Sequence, residues 1–177
     1  AVEELAGPAP GALPEPRAIR GSVLDVGSGA GFPGIPLAIA LPGLAFTLLE
    51  RSSRKIAFLK TCGIILGLPN TRALQADLSQ ADGRFDVVTF RAFAPLERFF
   101  SEAGPGLSFG ALVAYKGRLS RGREEAAQVE ALPGGRWQAE VRVVSVPFLE
   151  EERCLVVVRP RPRLAALAVA GRRGNGH

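Results

Sequence analysis

A glycine-rich turn between an apolar strand and a helix is the feature that most limits how this chain can fold. The stretch LDVGSGAGFPG, residues 24–34, carries glycine at positions 27, 29 and 31. Glycine adopts backbone conformations that other residues avoid and lets a ligand approach the main chain closely. A turn of this kind, at the carboxyl end of a strand in an α/β domain, is typical of nucleotide-binding sites.

Strand and helix patterns alternate from Ser22 onward, which predicts an α/β domain with a mostly parallel sheet. The final two strand patterns, within 137–148 and 152–160, are separated only by an acidic turn. They predict a hairpin and an antiparallel last strand. The earlier predicted strands are 22–26, 45–50, 71–77, 85–90 and 111–117, and the predicted helices are 33–41, a helix capped by Ser52, 95–103 and 121–132.

Two acidic residues indicate which nucleotide the turn binds. The segment GAGFPG matches the dinucleotide pattern G-x-G-x-x-G, but structural turns also match it. Glu50 ends the second strand 21 residues after Gly29, where a carboxylate accepts hydrogen bonds from an adenosine ribose in either a dinucleotide or S-adenosylmethionine. Asp25 would repel a pyrophosphate but attract the sulfonium and amino groups of S-adenosylmethionine. We therefore expect Asp25, Gly27, Gly29 and Gly31 to bind this methyl donor.

Four stretches also resemble a known family. These are DVGSGAGFPGIPLAI (25–39), LLERSSRKIAFLK (48–60), FDVVTFRAFAPL (85–96) and YKG (115–117). In order and spacing they resemble the bacterial glucose-inhibited division protein B family, methyltransferases that act on N7 of a guanine in 16S ribosomal RNA. The resemblance covers about residues 20–160. It implies S-adenosylmethionine as cofactor and a Rossmann-like, seven-stranded methyltransferase fold, mostly parallel with an antiparallel last strand.

The resemblance also implies where the cofactor is held. It assigns donor contacts to Gly27 and Phe32 and ribose recognition to Glu50. The adenine end would meet Leu78 and Ser79, and Asp77 could reach the adenine amino group. Family members usually carry an Arg-Ala-Glu-like triplet where this chain has Asp77, Leu78 and Ser79. Packing in the core is the alternative for Phe32.

Arg91 and Lys116 are the side chains that the resemblance places at the catalytic site. The planar guanidinium of Arg91 could bond a guanine O6 or a phosphate, and Arg91 is also implied in the cofactor pocket. A structural ion pair with Asp86 or Glu97 is the alternative for Arg91. Lys116 follows the fifth predicted strand.

Methylation of guanine N7 fits a chain whose sequence offers no nucleophile–histidine pair. N7 already carries a free lone pair, so its alkylation requires alignment with the methyl group and no general base. The only histidine is His177, and no metal-binding cluster can be assembled from the sequence, so we expect no metal.

Charge and composition favour a nucleic acid as partner, and the resemblance implies ribosomal RNA or the small ribosomal subunit. The net charge is +5 and the pI about 10.0. Such a balance favours nucleic acid, although a biased Ala-, Gly-, Pro- and Arg-rich composition would also produce it. The cluster of Arg118, Arg121 and Arg123 is either an RNA phosphate site or a solvated helix face. We expect no membrane association, a cytoplasmic location because only two cysteines occur, and a monomer.

Three regions are predicted along the chain. Residues 1–20 are rich in Pro and Gly and are expected to be a linker or the remnant of an N-terminal region, 21–160 the methyltransferase domain and 161–177 a basic arm. The family carries a helical N-terminal region before its first strand. Without it, we expect cofactor binding with poor RNA methylation. The alternative functions are methylation of a small molecule or protein, and a catalytically idle nucleotide-binding module.

Overall fold

The central sheet is built around apolar inner strands, of which β1 and β2 are buried at consecutive positions and hence on both faces. The structure, a computed structural model, describes residues 20–162. Its seven strands lie in the order β3-β2-β1-β4-β5-β7-β6. The strands are β1 (Gly21–Val26), β2 (Leu44–Glu50), β3 (Thr71–Gln75), β4 (Gly83–Arg91), β5 (Leu107–Lys116), β6 (Trp137–Val144) and β7 (Arg153–Pro160). The helices are α1 (Gly34–Ala40), α2 (Ser53–Ile65), α3 (Leu96–Glu102) and α4 (Leu119–Glu130), and a 3₁₀ turn covers Leu78–Gln80.

The pairing of the strands confirms the predicted fold class. β1 to β5 pair in parallel, whereas β7 runs antiparallel to both β5 and β6. The predicted hairpin is therefore present, with its second strand inserted between β5 and β6. β5 begins at Leu107, earlier than predicted, because Leu107 and Ser108 pair with Gly83 and Arg84 of β4.

Two details of the helix and strand ends differ from the prediction. Ser52 occupies the N-cap position of α2, but its side chain makes no capping hydrogen bond. β3 ends at Gln75 and does not reach position 77. Asp77 instead caps the 3₁₀ turn, and Gln80 bonds back to its backbone in a capping box. This local side-chain bonding competes with extension of the strand.

Two apolar clusters cover the two faces of the sheet. Leu24, Val88, Phe90, Phe99 and Val156 belong to the cluster that includes residues of α3 and α4. The opposite cluster contains Val23, Phe46 and Leu48 of the strands together with residues of α1 and α2. Helices on both faces explain why the strand sequences read as nearly continuous apolar runs.

The strand order creates a crevice beside β1. β1 pairs with β2 on one side and β4 on the other, so the chain reverses direction across the sheet at this point. In open α/β sheets, ligands bind at the carboxyl ends of the strands where this reversal occurs. The glycine-rich turn lies at this place.

The described residues leave two predictions open. The expected linker and basic arm lie, apart from residues 20, 161 and 162, outside the described residues. Among the helices within 20–162, none combines the length and apolarity that crossing a membrane requires.

Candidate cofactor and acceptor clefts

The glycine-rich turn is fixed to the neighbouring strand by its backbone. The amides of Gly27 and Ser28 both donate to the carbonyl of Leu49 on β2, at 2.9 and 3.0 Å. The turn then continues through Gly31 into α1. It therefore presents its backbone at the carboxyl edge of the sheet.

The three glycines of the turn serve different purposes. All have positive φ, at 66° for Gly27, 59° for Gly29 and 89° for Gly31. A Cβ on Gly27 would lie 2.5 Å from the Phe93 ring, and one on Gly31 would lie 2.6 Å from Cγ1 of Ile35. A Cβ on Gly29 would meet only the Gly27 carbonyl oxygen, at 3.6 Å. Internal packing therefore already requires glycine at positions 27 and 31, while ligand approach stays a prediction at all three glycines.

Asp25 lies beneath the turn, completely buried. Its Oδ2 accepts a hydrogen bond of 3.1 Å from the amide of Gly34 at the start of α1. Within the described residues, Oδ1 is buried without a hydrogen-bond partner. Burial raises the pKa of the Asp25 carboxyl to about 6. Unpaired buried carboxylate oxygens are costly, so a cation bound at the turn would stabilise the charged form.

Glu50 is held at the end of β2 by two backbone amides. Oε2 accepts from Gly29 at 3.1 Å and Oε1 from Ser52 at 3.0 Å. Lys55 lies 3.8 Å from Oε2. Each carboxylate oxygen has a second lone pair, which leaves acceptor capacity for a ligand hydroxyl. The predicted ribose acceptor therefore also clamps the glycine-rich turn.

The first cleft opens between these groups and the segment after β3. Its volume is about 280 Å³, and its lining includes Gly27, Glu50, Asp77 and Leu78 from the predicted cofactor set. The lining does not include the other members of the predicted cofactor set, which are Asp25, Gly29, Gly31, Phe32, Ser79 and Arg91. The amide and hydroxyl of Ser79 both donate to Oδ1 of Asp77, at 3.2 Å. The lining residues that sequence reasoning missed include Arg51, Lys55, Ala76, Ala92, Phe93 and Arg98.

Arg91 directly precedes Ala92 of this lining and contacts Phe32 of the glycine-rich turn. The guanidinium carbon of Arg91 lies 5.4 Å from the centre of the Phe32 ring, a cation–π distance. Phe32 is 50% exposed, so the core-packing alternative is wrong. The ion-pair alternative for Arg91 is also wrong within residues 20–162, since Asp86 instead accepts hydrogen bonds from Ser22 and no carboxylate lies within 4.0 Å of Arg91.

A second, wider cleft begins at Arg91. Its volume is about 1440 Å³, and it extends from the end of β4 to the turn of the β6–β7 hairpin. Ala92 lines both clefts and has φ of 52°, a conformation that costs energy in residues other than glycine. The residues that line the second cleft include Arg91, Tyr115, Lys116, Arg118, Val146 and Glu150–Glu152.

Lys116 is the last residue of β5 and is already occupied by internal contacts. Its ammonium lies 2.7 Å from Oε2 of Glu125 and donates to the Ala94 carbonyl at 3.0 Å. Only 11% of the Lys116 side chain and 5% of the Glu125 side chain are exposed. Sequence reasoning missed Glu125. The structure thus places Lys116 in the lining of the second cleft, with its ammonium paired to Glu125.

One family model and several known proteins that match this sequence are named as rRNA small subunit methyltransferase G. The family model described as GidB, rRNA small subunit methyltransferase G, matches residues 12–156. Proteins named ribosomal RNA small subunit methyltransferase G include one from Nitrosococcus oceani, 40% identical over 142 residues covering 78% of this chain and 64% of that protein. Another, from Cupriavidus necator, is 42% identical over 149 residues, covering 80% and 62%. The chain therefore spans a little under two thirds of the length of these relatives.

Solved structures show the same fold. A predicted O-methyltransferase from Agrobacterium tumefaciens superposes with a TM-score of 0.62 at 22% identity, covering 85% of this chain and 78% of that one. A precorrin-6y C5,15-methyltransferase from Geobacter metallireducens gives a TM-score of 0.55 at 18% identity, with 79% of each chain covered.

Proposed function

This chain belongs to the GidB family of rRNA small subunit methyltransferase G proteins, and we propose that it methylates N7 of a guanine in 16S ribosomal RNA, with S-adenosylmethionine as donor. The observation that carries the proposal is the family match combined with an acid-flanked glycine turn at the point where the sheet reverses. A second cleft adjoining the first supplies room for an acceptor.

The residues of the first cleft fit S-adenosylmethionine better than a dinucleotide. The unpartnered oxygen of Asp25 favours a cationic ligand, and the open space at Gly29 permits close approach to the backbone. Glu50 has acceptor capacity for ribose hydroxyls, and Asp77 and Leu78 line the opposite side of the cleft. When bound, the donor supplies an electrophilic methyl group on its sulfonium.

The chain's own task is then to position the acceptor and exclude water. Guanine N7 needs no deprotonation, so transfer to it would require alignment with the methyl group and no general base. Arg91 lies between the two clefts, with no acidic partner in the part of the chain that the structure describes, and its planar donors suit guanine O6 or a phosphate. Lys116 is excluded as a freely mobile donor because Glu125 and Ala94 hold it.

We further propose a monomer that acts in the cytoplasm on ribosomal RNA or the small ribosomal subunit. Arg118, Arg121 and Arg123 are exposed on and before α4, and Arg118 lines the acceptor cleft. Such side chains attract RNA phosphates.

Acceptors other than RNA are the second candidate, favoured by one observation. Glu150, Glu151 and Glu152 line the same cleft, and their charges would repel a phosphate backbone at that end. A small-molecule or protein acceptor would tolerate this acidic rim, and an idle nucleotide-binding module would require no acceptor.

The test combines binding and transfer. Calorimetry should show that the chain binds S-adenosylhomocysteine, the demethylated product, and binds NAD more weakly or not at all. Small ribosomal subunits from a strain lacking the gene should then accept a labelled methyl group from S-adenosylmethionine, with mass spectrometry locating it on guanine N7. Tighter binding of NAD would overturn the donor assignment. Transfer to an atom other than guanine N7, or to a protein or small molecule in preference to the subunits, would overturn the assigned acceptor.

A further inference from the structure

We infer that Glu125 and Lys116 form a positioning pair that fixes residues 91–96, the segment that separates the two clefts. The inference deepens the proposed function, on which it rests, by assigning control of the cleft geometry to a residue of α4. Glu125 touches neither cleft, so its effect on transfer would be exerted through the segment.

The pair holds the segment from two different elements. Lys116 of β5 donates to the Ala94 carbonyl at 3.0 Å, and Glu125 of α4 accepts from the Leu96 amide at 2.8 Å. The two charges meet at 2.7 Å and are nearly excluded from solvent. Oε1 of Glu125 also pairs with the exposed Arg121 of the same helix, at 3.5 Å. The chain is therefore fastened on both sides of Pro95. Charged groups make stronger hydrogen bonds to backbone atoms than neutral ones do.

The fastened segment carries the wall between the clefts. Ala92 lines both clefts in a strained backbone conformation, and such conformations persist only where their surroundings hold them. The Phe93 ring lies against Gly27 of the glycine-rich turn, so closely that it leaves no room for a Cβ at that position. Arg91 contacts Phe32 of the same turn. A shift of this segment would move a wall of the cofactor cleft and the Arg91 guanidinium together.

A purely structural role is the competing explanation, and a neutral double variant separates the two. Removing one partner leaves a buried unpaired charge and risks unfolding, whereas removing both charges is often tolerated. Lys116→Met with Glu125→Gln removes both charges and the bond to Ala94, yet keeps an amide oxygen that can accept from Leu96. The matched control is Arg142→Met with Glu140→Gln, an exposed pair of 2.8 Å on β6.

The experiment measures hydrogen exchange, S-adenosylhomocysteine affinity and methyl transfer to small ribosomal subunits, all well below the melting temperature. For the Lys116–Glu125 double variant we expect faster exchange of the Leu96 amide, because a neutral glutamine oxygen accepts a weaker hydrogen bond than the Glu125 carboxylate does. We also expect turnover reduced roughly 10- to 100-fold, the cost of small misplacements of reacting groups. The affinity for S-adenosylhomocysteine should change by no more than about threefold, because Gly29 and Glu50 are intact. The variant should therefore lose turnover and keep cofactor binding. The control variant should match the wild type in all three measurements.

Two results would overturn the inference. One is wild-type exchange of the Leu96 amide in the double variant. The other is wild-type turnover per folded molecule despite a lowered melting temperature, which is the result expected of a pair that only stabilises the fold. If the wild-type chain itself transfers no methyl group, the exchange measurement alone decides whether the pair fixes the segment, and the proposed function is then judged by its own test.

Discussion

Alanine substitutions at Gly29 and Gly31 should differ in their main effect, although the two glycines are separated by one residue. The first should mainly weaken ligand binding, and the second should mainly lower stability. At Gly29, the added methyl group meets no side chain and enters the space beside the cleft. At Gly31, it would lie 2.6 Å from Cγ1 of Ile35 and 3.4 Å from Leu59. Gly29→Ala should therefore impair ligand binding, and Gly31→Ala should impair folding.

The magnitudes follow from the backbone and the contacts. Both substitutions force alanine into the left-handed region, at about 1–2 kcal/mol each. Gly31→Ala adds overpacking of about 1–3 kcal/mol, because Ile35 is buried and its β-branched side chain has little freedom. For a chain of this size, 1 kcal/mol corresponds to roughly 2–4 °C in melting temperature. Gly29→Ala should lose a few degrees and Gly31→Ala roughly twice as much or more.

Binding should show the reverse order. A methyl group at Gly29 that obstructs the ligand should cost about 1–3 kcal/mol, roughly 5- to 150-fold in affinity. Folded Gly31→Ala should bind S-adenosylhomocysteine within about threefold of wild type, within the scatter expected of sites without direct contact. Melting curves and calorimetry on both variants check this. Wild-type affinity in Gly29→Ala would refute ligand approach at this glycine, and equal melting temperatures would refute the packing argument.

Other predictions follow from the same site. Glu50→Ala should weaken cofactor binding by roughly 1.5–3 kcal/mol, the range for hydrogen bonds to a charged group, and should also speed exchange of the Gly29 amide that Glu50 holds; unchanged affinity by calorimetry would move the ribose role elsewhere. Because burial raises the Asp25 pKa from 3.8 to about 6 in the folded state, its stabilising contribution is complete below pH 4 and is lost as pH rises through 6. The free energy of unfolding of Asp25→Asn, relative to that of the wild type, should therefore be about 3 kcal/mol more favourable at pH 7 than at pH 4. Denaturation at the two pH values measures this, and parallel pH profiles of the two proteins would contradict it. Phe32→Ala should cost less than about 1 kcal/mol of stability, the value of an exposed cation–π contact, yet reduce turnover by freeing Arg91; a turnover equal to wild type would show that the contact does not position the guanidinium. RNA binding should weaken steeply with salt, because arginine–phosphate contacts release counterions, and a flat salt dependence would favour an uncharged acceptor.

Much of the fold and of the first cleft could be predicted because the signals are local. Strand patterning, the glycine-rich turn and the acid at the end of β2 lie within short stretches, and parallel strands bring their carboxyl ends together automatically. The hairpin could also be predicted, since only a short acidic turn separates its strands. Insertion of β7 beside β5 could not, because strand order depends on long-range pairing.

The missed residues depended on tertiary contacts. Glu125 belongs to a helix that appeared polar, yet it lies three residues after the buried Gly122 and four before the buried Val129, on the inward face of α4. That spacing was the one sequence signal that could have identified it. The positive φ of Ala92 has no such signal, because it results from how neighbouring elements hold the chain. Ser79 was assigned to the cofactor from position alone, whereas its hydrogen-bonding groups are used by Asp77.

The strand order has a consequence for how the chain acquires its structure during synthesis. β6 pairs only with β7, and the outer edge of β5 is also covered only by β7 within the described residues. Until residues 153–160 have been synthesised, β5 therefore presents an open edge and β6 has no strand to join. Open edges promote pairing with other chains, and domains fold as units once their elements are available. The last strand thus completes the sheet, and a nascent chain that stops before it would be prone to aggregate.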